Sequence, residues 1–233
     1  MKQQALEHAL QEYPREACGL AVIIKGRERY WPCRNLATDG DQFIMDPEDY
    51  AAADEAGDIV AVVHSHPDAP AEPSPADRMA CEATATPWHI VSVPSGQWAT
   101  LLPVGYQAPL VGREYRHGVQ DCYTLVSDWY AQAGLLLPNF QRDDGWWDNG
   151  QNLYVDNFEA CGFREIAADD LQYGDALLIA VSSPVPNHAA VFIGDNLIIH
   201  HAHNRLSGRE IYGDFWRKHT THVLRHENHR FTR

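Results

Sequence analysis

The sequence predicts an α+β fold in two domains, and three observations support this prediction. The chain has 233 residues, and one compact domain takes about 100–200 residues, so two modest domains are favoured. Each half mixes amphipathic helical patterns with short apolar runs typical of strands. The segment 103–109 (PVGYQAP) has two prolines, a glycine and no hydrophobic periodicity, as a linker does. We therefore place the domains at residues 1–104 and 110–233.

The elements of the first half are predicted by periodicity and by helix caps. Residues 3–13 carry apolar side chains at helical spacing, and Pro14 ends this helix. Asp46 before Pro47 predicts an N-cap and a helix that stops at Gly57. The remaining predicted elements are strands at 19–25, 29–33, 59–63, 88–93 and 97–102 and a helix from Ser74 to Thr84.

The second half is predicted in the same way. Asp121 caps a helix over 122–133 that ends at Gly134, and two strands at 188–193 and 197–201 are joined by the hairpin signal Gly194-Asp195-Asn196. The other predictions are a loop over 139–152, a short helix over 154–161, a strand over 177–181 and a solvated tail or partner-contact segment over 217–230.

Composition excludes several classes of protein. The 18 basic and 32 acidic residues give a net charge of -14, which argues against nucleic acid as a partner because phosphate binding needs a basic surface. No apolar run approaches the roughly 20 residues of a membrane span. The start of the chain has no apolar core of a signal peptide, and five cysteines without a CxxC pair indicate a reducing compartment. We therefore expect synthesis in a cytoplasm.

A candidate metal site follows the predicted strand 59–63. His64 and His66 stand two residues apart on an extended segment, so both side chains point to the same face. Asp77, in the first turn of the next helix, can add an oxygen ligand, and two imidazoles with one carboxylate suit Zn²⁺ with a water as fourth ligand. Glu16 is a candidate general base. A simpler interpretation is that Ser74 and Asp77 form a helix-capping pattern without metal.

The whole pattern of the first half is more specific than its parts. The sequence H-S-H-P is followed by S-x-x-D, with seven residues between His66 and Ser74, and E-x-C-G-L lies upstream. Together these motifs resemble the JAMM (MPN+) metalloprotease family over roughly residues 1–103. The resemblance implies a JAMM/MPN-like (cytidine-deaminase-like) α/β sheet and one zinc ion held by His64, His66 and Asp77. It also implies that Glu16 acts as acid and base and that Ser74 polarises the scissile carbonyl of a peptide or isopeptide bond.

Cys122 is the candidate nucleophile of the second half. It directly follows the capping Asp121, and a helix N-terminus favours thiolate over thiol, so we expect its pKa to lie below the free value of about 8.5. His188 begins one strand of the hairpin and His200 ends the next, so the fold can bring them together. The alternative is that Cys122 is a small buried hydrophobe, as the other four cysteines are expected to be.

The surroundings of Cys122 favour the nucleophile. Tyr115-Arg116-His117-Gly118, Asp121-Cys122, the run LQYGDAL at 171–177 and NHAAVFIG at 187–194 resemble the NlpC/P60 cysteine peptidases over roughly residues 110–205. The resemblance implies a papain-like α+β domain with Cys122 as nucleophile, His188 as base and His200 as the residue that orients it. Tyr115 would lie near the oxyanion. Tyr123-Thr124 replaces the family's Ser-Gly, and by strand alternation His201 is a surface or packing residue.

The order of the two domains resembles bacteriophage tail tip assembly proteins of the lambda K type. This resemblance implies a protein made in the host cytoplasm, with other phage tail tip proteins and peptidoglycan stem peptides as partners, able to reach the wall with the virion tail. The hypotheses are a two-site peptidase, a structural assembly factor that uses both folds for binding, and a protease that processes a phage tail protein. Trp146-Trp147 would either line a sugar or peptide groove or pack the loop onto the domain.

Overall fold

The computed structural model describes residues 1–38, 40 and 42–231. It divides the chain into two compact units, Met1–Gln107 and Ala108–Arg233. The division falls inside the segment 103–109. Each unit combines helices with one main sheet, and the predicted α+β fold in two domains is confirmed.

The first unit is built on a five-stranded sheet. The strand order is β2-β1-β3-β4-β5, with β3 and β4 parallel and the other pairs antiparallel. The elements are α1 (Lys2–Glu12), β1 (Cys18–Ile24), β2 (Arg27–Cys33), α2 (Pro47–Ala56), β3 (Asp58–Pro67), α3 (Pro75–Thr84), β4 (Trp88–Val93) and β5 (Trp98–Leu101).

Helices cover both faces of this sheet, because β1 is apolar on both sides. Leu20 and its neighbours on one face pack with Ala53 of α2 and Cys81 of α3. Ala21 points to the other face and packs with Ala5 of α1. The predicted apolar stripe of α1 is therefore buried in part, while Leu10 is 51% exposed.

The second unit is built on a six-stranded antiparallel sheet in the order β10-β9-β8-β7-β11-β6. Its elements are α4 (Cys122–Ala131), a 3₁₀ turn (Trp146–Asn149), α5 (Leu153–Asn157), β6 (Phe163–Ile166), a second 3₁₀ turn (Ala168–Asp170), β7 (Ala176–Ile179), β8 (His188–Phe192), β9 (Leu197–His200), β10 (Gly208–Ile211), α6 (Asp214–His219) and β11 (Thr220–His226).

The two faces of this sheet are covered by different helices. Helix α4 packs on β8, and Leu125 and Val126 join one apolar cluster with Val191. On the other face Trp216 of α6 packs with Ile198. Helix α4 therefore places its first residue, Cys122, against the strand that begins at His188.

The structure bears on two segments without clear periodicity, 217–230 and the Trp146-Trp147 pair. The run 217–230 is not a solvated tail: β11 pairs with both β7 and β6, and Val223 and Leu224 are buried. Trp146 is 1% exposed and packs against Tyr154, which favours the packing interpretation for that ring.

Within the described ranges, no helix has the length and apolarity needed to cross a membrane.

Candidate functional sites

The two histidines of the first unit lie at the end of β3 and meet one carboxylate. The strand continues to Pro67, so His64 and His66 share a face, with their Nε2 atoms 3.1 Å apart. Asp77 faces both rings: Oδ1 is 3.2 Å from Nε2 of His64, and Oδ2 is 3.3 Å from Nε2 of His66. One ligand atom from each residue lies within 4.8 Å of the others, so a single ion can contact all three.

The start of α3 holds this carboxylate in place. Ser74 is the N-cap: its Oγ accepts a hydrogen bond from the Asp77 N–H at 3.1 Å, and its own N–H donates to Asp77 Oδ2 at 2.7 Å. The predicted helix cap is thus confirmed, and the same carboxylate also faces the imidazoles. Since the Ser74 hydroxyl oxygen accepts at the cap, its proton stays available for donation to another group.

The hydrogen bonds around His64, His66 and Asp77 leave two acceptors facing each other, the Nε2 lone pair of neutral His66 and the carboxylate of Asp77. Nδ1 of His66 lies 2.8 Å from the Pro70 carbonyl oxygen, so we assign the proton to Nδ1 and the lone pair to Nε2. Burial opposes the charge on Asp77, but hydrogen bonds with His64 and His66, which form only when the facing ring nitrogen carries a proton, hold the pKa of the Asp77 carboxyl far below the usual range. A cation between these atoms would satisfy them, and two nitrogens with one oxygen fit Zn²⁺.

Glu16 is placed at the same end of the sheet by strand pairing. Cys18 is opposite His64 in the β1–β3 register, and the Ser65 N–H donates to the Ala17 carbonyl. Glu16 is 9% exposed. Burial lowers the pKa of His66, but hydrogen bonds to Asp77 and Pro70 and the charges of Asp77 and Glu16 raise it overall. The carboxylate of Glu16 therefore acts electrostatically on the cluster.

Cys122 is held at the first turn of α4 by a capping box. Asp121 Oδ1 accepts from the Thr124 N–H, and Thr124 Oγ1 accepts from the Asp121 N–H, both at 2.8 Å. Asp121 Oδ2 lies 3.1 Å from the guanidinium of Arg142, and both side chains are 2% exposed. Cys122 Sγ is 3.2 Å from the Tyr154 hydroxyl.

Two histidines and a glutamate form a continuous hydrogen-bonded chain on β8, β9 and β10, and α4 packs on the first two of these strands. His188 begins β8 and His200 ends β9, and His188 Nε2 lies 2.9 Å from His200 Nδ1. His200 Nε2 lies 3.0 Å from Oε2 of Glu210 on β10. The ring of Trp216 covers both imidazoles, with centroids 5.6 Å from His188 and 4.7 Å from His200. The fold thus brings His188 and His200 into contact, as the sequence predicts.

The protonation of this site differs from the expectation. Burial raises the pKa of the Cys122 thiol to about 11, the Asp121 carboxylate adds to this, and the Tyr154 hydroxyl and Ala189 N–H oppose it. The prediction of a lowered thiol pKa is wrong, because burial and the adjacent carboxylate outweigh the helix N-terminus. Burial, with His200 and His201 nearby, lowers the pKa of His188 to about 3. Both groups are neutral at pH 7.

The aromatic residues around Cys122 divide into two groups. Tyr115 contacts the rings of His201 and His203, and burial followed by the charges of Cys122 and Asp121 raises its pKa. His201 is fully buried and pairs with the Arg205 carbonyl oxygen, which makes it a packing residue. The hydroxyl in contact with the sulfur belongs to Tyr154. Sequence reasoning missed it because this contact spans 32 residues with no motif spacing.

Comparison with known proteins identifies both units. The family model described as prokaryotic homologs of the JAB domain matches residues 1–102, and that of the NlpC/P60 family matches residues 112–225. The resemblance of each half to its family is thereby confirmed.

Two curated relatives match most of the chain. Tail tip assembly protein K of Escherichia phage N15 is 40% identical over 98% of this chain and 96% of its own length. Tail tip assembly protein K of Escherichia phage lambda is 44% identical over 78% of this chain and 89% of its own length. Among solved structures, a JAB1/MPN domain protein from Archaeoglobus fulgidus is 19% identical, overlaps 46% of this chain and 89% of its own, and gives a TM-score of 0.30.

Proposed function

Because the chain belongs to the family of tail tip assembly protein K and itself carries a JAB domain before an NlpC/P60 domain, we propose that it is a two-site peptidase of the phage tail. The NlpC/P60 site would cut a stem-peptide bond of peptidoglycan, such as that between D-glutamate and diaminopimelate. The JAB site would cut a peptide or isopeptide bond. Its partners are then the wall and other tail tip proteins, and its place of action is the virion tail tip.

The observation that best supports this proposal is the hydrogen-bonded chain of His188, His200 and Glu210 on strands β8 to β10, because α4, which begins at Cys122, packs on β8. A neutral imidazole can accept the thiol proton as sulfur attacks the scissile carbonyl carbon, which forms a thioester and expels the amine with that proton. Water then hydrolyses the thioester with His188 again as base. His200 holds the ring of His188 in place, and Tyr115 with backbone N–H groups at the start of α4 is the candidate for the oxyanion.

The second site rests on the convergence of His64, His66 and Asp77. These residues would hold Zn²⁺, which when bound supplies Lewis acidity and a water that ionises near neutral pH. Glu16 would accept and return the proton. Ser74, whose oxygen accepts at the helix cap, would donate its hydroxyl proton to the scissile carbonyl oxygen.

Cleavage of purified muropeptides, read by mass spectrometry, tests the cysteine site. Cys122→Ala should abolish the product, whereas Cys161→Ala, a buried cysteine of the same unit, should leave the product unchanged. Equal product from all three proteins would remove Cys122 from the chemistry.

Zinc content tests the second site without reference to activity. Protein purified without chelator should hold one zinc ion per chain, and the His64→Ala/His66→Ala double variant should hold none. His89→Ala, on the adjacent strand β4 and hydrogen-bonded to Thr100, is the control and should keep the ion. Equal zinc in the wild type and the double variant would contradict the proposal.

One observation favours a second candidate function, a tail-assembly factor without catalysis. Cys122 is 5% exposed and its thiol has a raised pKa, as a structural cysteine has. In that case the wild type would cleave no peptide. The Cys122→Ala variant and zinc-free protein would both still support tail assembly.

A further inference from the structure

His200 has a second partner that no motif of the sequence points to. In the β9–β10 register Gly208 is opposite His200 and Glu210 is opposite Ile198. Residues two apart on a strand share a face, so Glu210 and His200 are diagonal neighbours on the same side of the sheet. Their side chains meet at 3.0 Å, with the His200 side chain 5% exposed and the Glu210 side chain 47% exposed. The carboxylate therefore keeps contact with water while it reaches the buried ring.

The carboxylate fixes where the protons of both rings lie. An ionised carboxylate only accepts hydrogen bonds, so Nε2 of His200 must carry a proton towards Glu210. Burial lowers the pKa of His200 although Glu210 opposes it, so this ring is neutral and its lone pair is on Nδ1. That lone pair accepts a proton from Nε2 of His188, 2.9 Å away.

The tautomer of His188 decides whether its Nδ1 can accept the proton of the Cys122 thiol. A neutral His188 with its proton on Nε2 has a free lone pair on Nδ1, the ring nitrogen nearer the backbone. The next residue in the chain, Ala189, belongs to the same buried cluster as Cys122. The free lone pair is therefore on the side of the ring close to the backbone of β8, the strand on which α4 packs. The reverse tautomer would turn an N–H to that side and remove the base.

We propose that Glu210 is a positioning residue of the cysteine site, which fixes the tautomers of His200 and His188 so that Nδ1 of His188 is unprotonated and can act as base for Cys122. The role of Glu210 in catalysis rests on the proposed peptidase function. The assignment of the tautomers does not depend on that function. Trp216, which covers both imidazoles, limits the access of water that would otherwise offer the two rings alternative hydrogen bonds.

Nuclear magnetic resonance of protein with ¹⁵N-labelled histidine tests the tautomers directly. Two-bond proton–nitrogen correlations distinguish a ring protonated at Nδ1 from one protonated at Nε2. The wild type should show His188 and His200 both protonated at Nε2 at pH 7. Glu210→Leu, which removes the acceptor from an edge strand, should give mixed tautomers of both rings. Glu210→Gln keeps an amide oxygen that can accept and should restore the wild-type pattern.

Kinetics of stem-peptide cleavage supply the second readout. Glu210→Leu should lower kcat by about tenfold or more with a smaller change in KM, because the base and not substrate binding is affected. Glu165→Leu removes an exposed carboxylate from β6, the other edge strand of the same sheet, and should retain wild-type kcat and tautomers.

Each outcome decides the proposal. A wild-type spectrum with Nδ1 of His188 protonated overturns it without any variant, and so do unchanged tautomers in Glu210→Leu. If Glu210→Leu does not fold, the wild-type and Glu210→Gln spectra still decide. If the wild type cleaves no peptide but shows both Nε2 protons, the peptidase function fails while the tautomer assignment holds.

Discussion

The Tyr154 hydroxyl is the group that most directly adjusts the Cys122 thiol. It lies 3.2 Å from Sγ and acts to lower the thiol pKa against burial and the Asp121 carboxylate. Tyr154→Phe should raise the thiol pKa further and slow alkylation of Cys122 by iodoacetamide across the alkaline range. Tyr130→Phe removes another buried hydroxyl, bonded to the Gly174 carbonyl, and should leave the rate unchanged. Equal rates in wild type and Tyr154→Phe would contradict this role.

His188 links the stability of the second unit to pH. Its pKa is about 3 in the folded protein and about 6.5 in an unfolded chain. Below about pH 6.5 the unfolded chain binds a proton that the folded site excludes, so stability is full above that pH and is lost as pH falls towards 3. The slope from this one group is at most about 1.4 kcal/mol per pH unit.

Denaturant unfolding between about pH 4 and pH 7 measures this effect. His188→Gln should flatten the pH dependence, whereas His203→Gln, at an exposed position, should retain it. If His188→Gln keeps the wild-type slope, the neutral buried state of His188 is wrong.

At the scale of elements, the start of α4 depends on one carboxylate. Asp121 caps the helix, accepts from the Gly118 N–H and pairs with the buried Arg142. Asp121→Ala should destabilise the second unit by about 3–5 kcal/mol, because it leaves a buried guanidinium without its charge partner. Asp46→Ala, at the cap of α2 beside the exposed Arg34, should cost about 1 kcal/mol in the first unit. Similar losses in both variants would contradict the importance of the buried pair.

Helix caps and continuous apolar runs made most elements predictable. Asp46, Ser74 and Asp121 each begin a helix at the predicted residue, since an N-cap side chain is a local signal. Strands β6, β10 and β11 were not predicted, because they are short or carry mixed polar side chains and exist through pairing with distant strands. Helix α4 ends at Ala131, two residues before its predicted end.

The candidate sites were predictable where strand alternation and short spacings decide the geometry. His64 and His66 meet because they share a face of β3, and Asp77 follows its cap. Tyr154 and Glu210 come from other elements, so only the tertiary fold shows their contacts. The sign of the Cys122 pKa shift depends on burial, which a local motif does not reveal.

At the scale of the whole molecule, the segment 103–109, which contains the boundary of the two units, is the expected point of proteolytic attack. Val104 is 76% exposed and is held by a hydrogen bond from its N–H to the Glu82 carboxylate, which also accepts from Tyr106. Brief digestion should cut first within 103–109 and release two stable fragments. Glu82→Ala should speed this cut, whereas Glu72→Ala, at another exposed glutamate of the first unit, should not. First cuts inside β3 or β7 would contradict independent folding of the units.

The proposed function requires two independent peptidase sites, one dependent on Cys122 and one on a metal. The most direct test is mass spectrometry of the products from peptidoglycan stem peptides, for wild type and Cys122→Ala, each with and without a zinc chelator. We expect the stem-peptide product to persist in chelator and to disappear in Cys122→Ala, because the cysteine chemistry needs no metal. A product that survives Cys122→Ala, or that chelator abolishes in the wild type, would contradict this expectation.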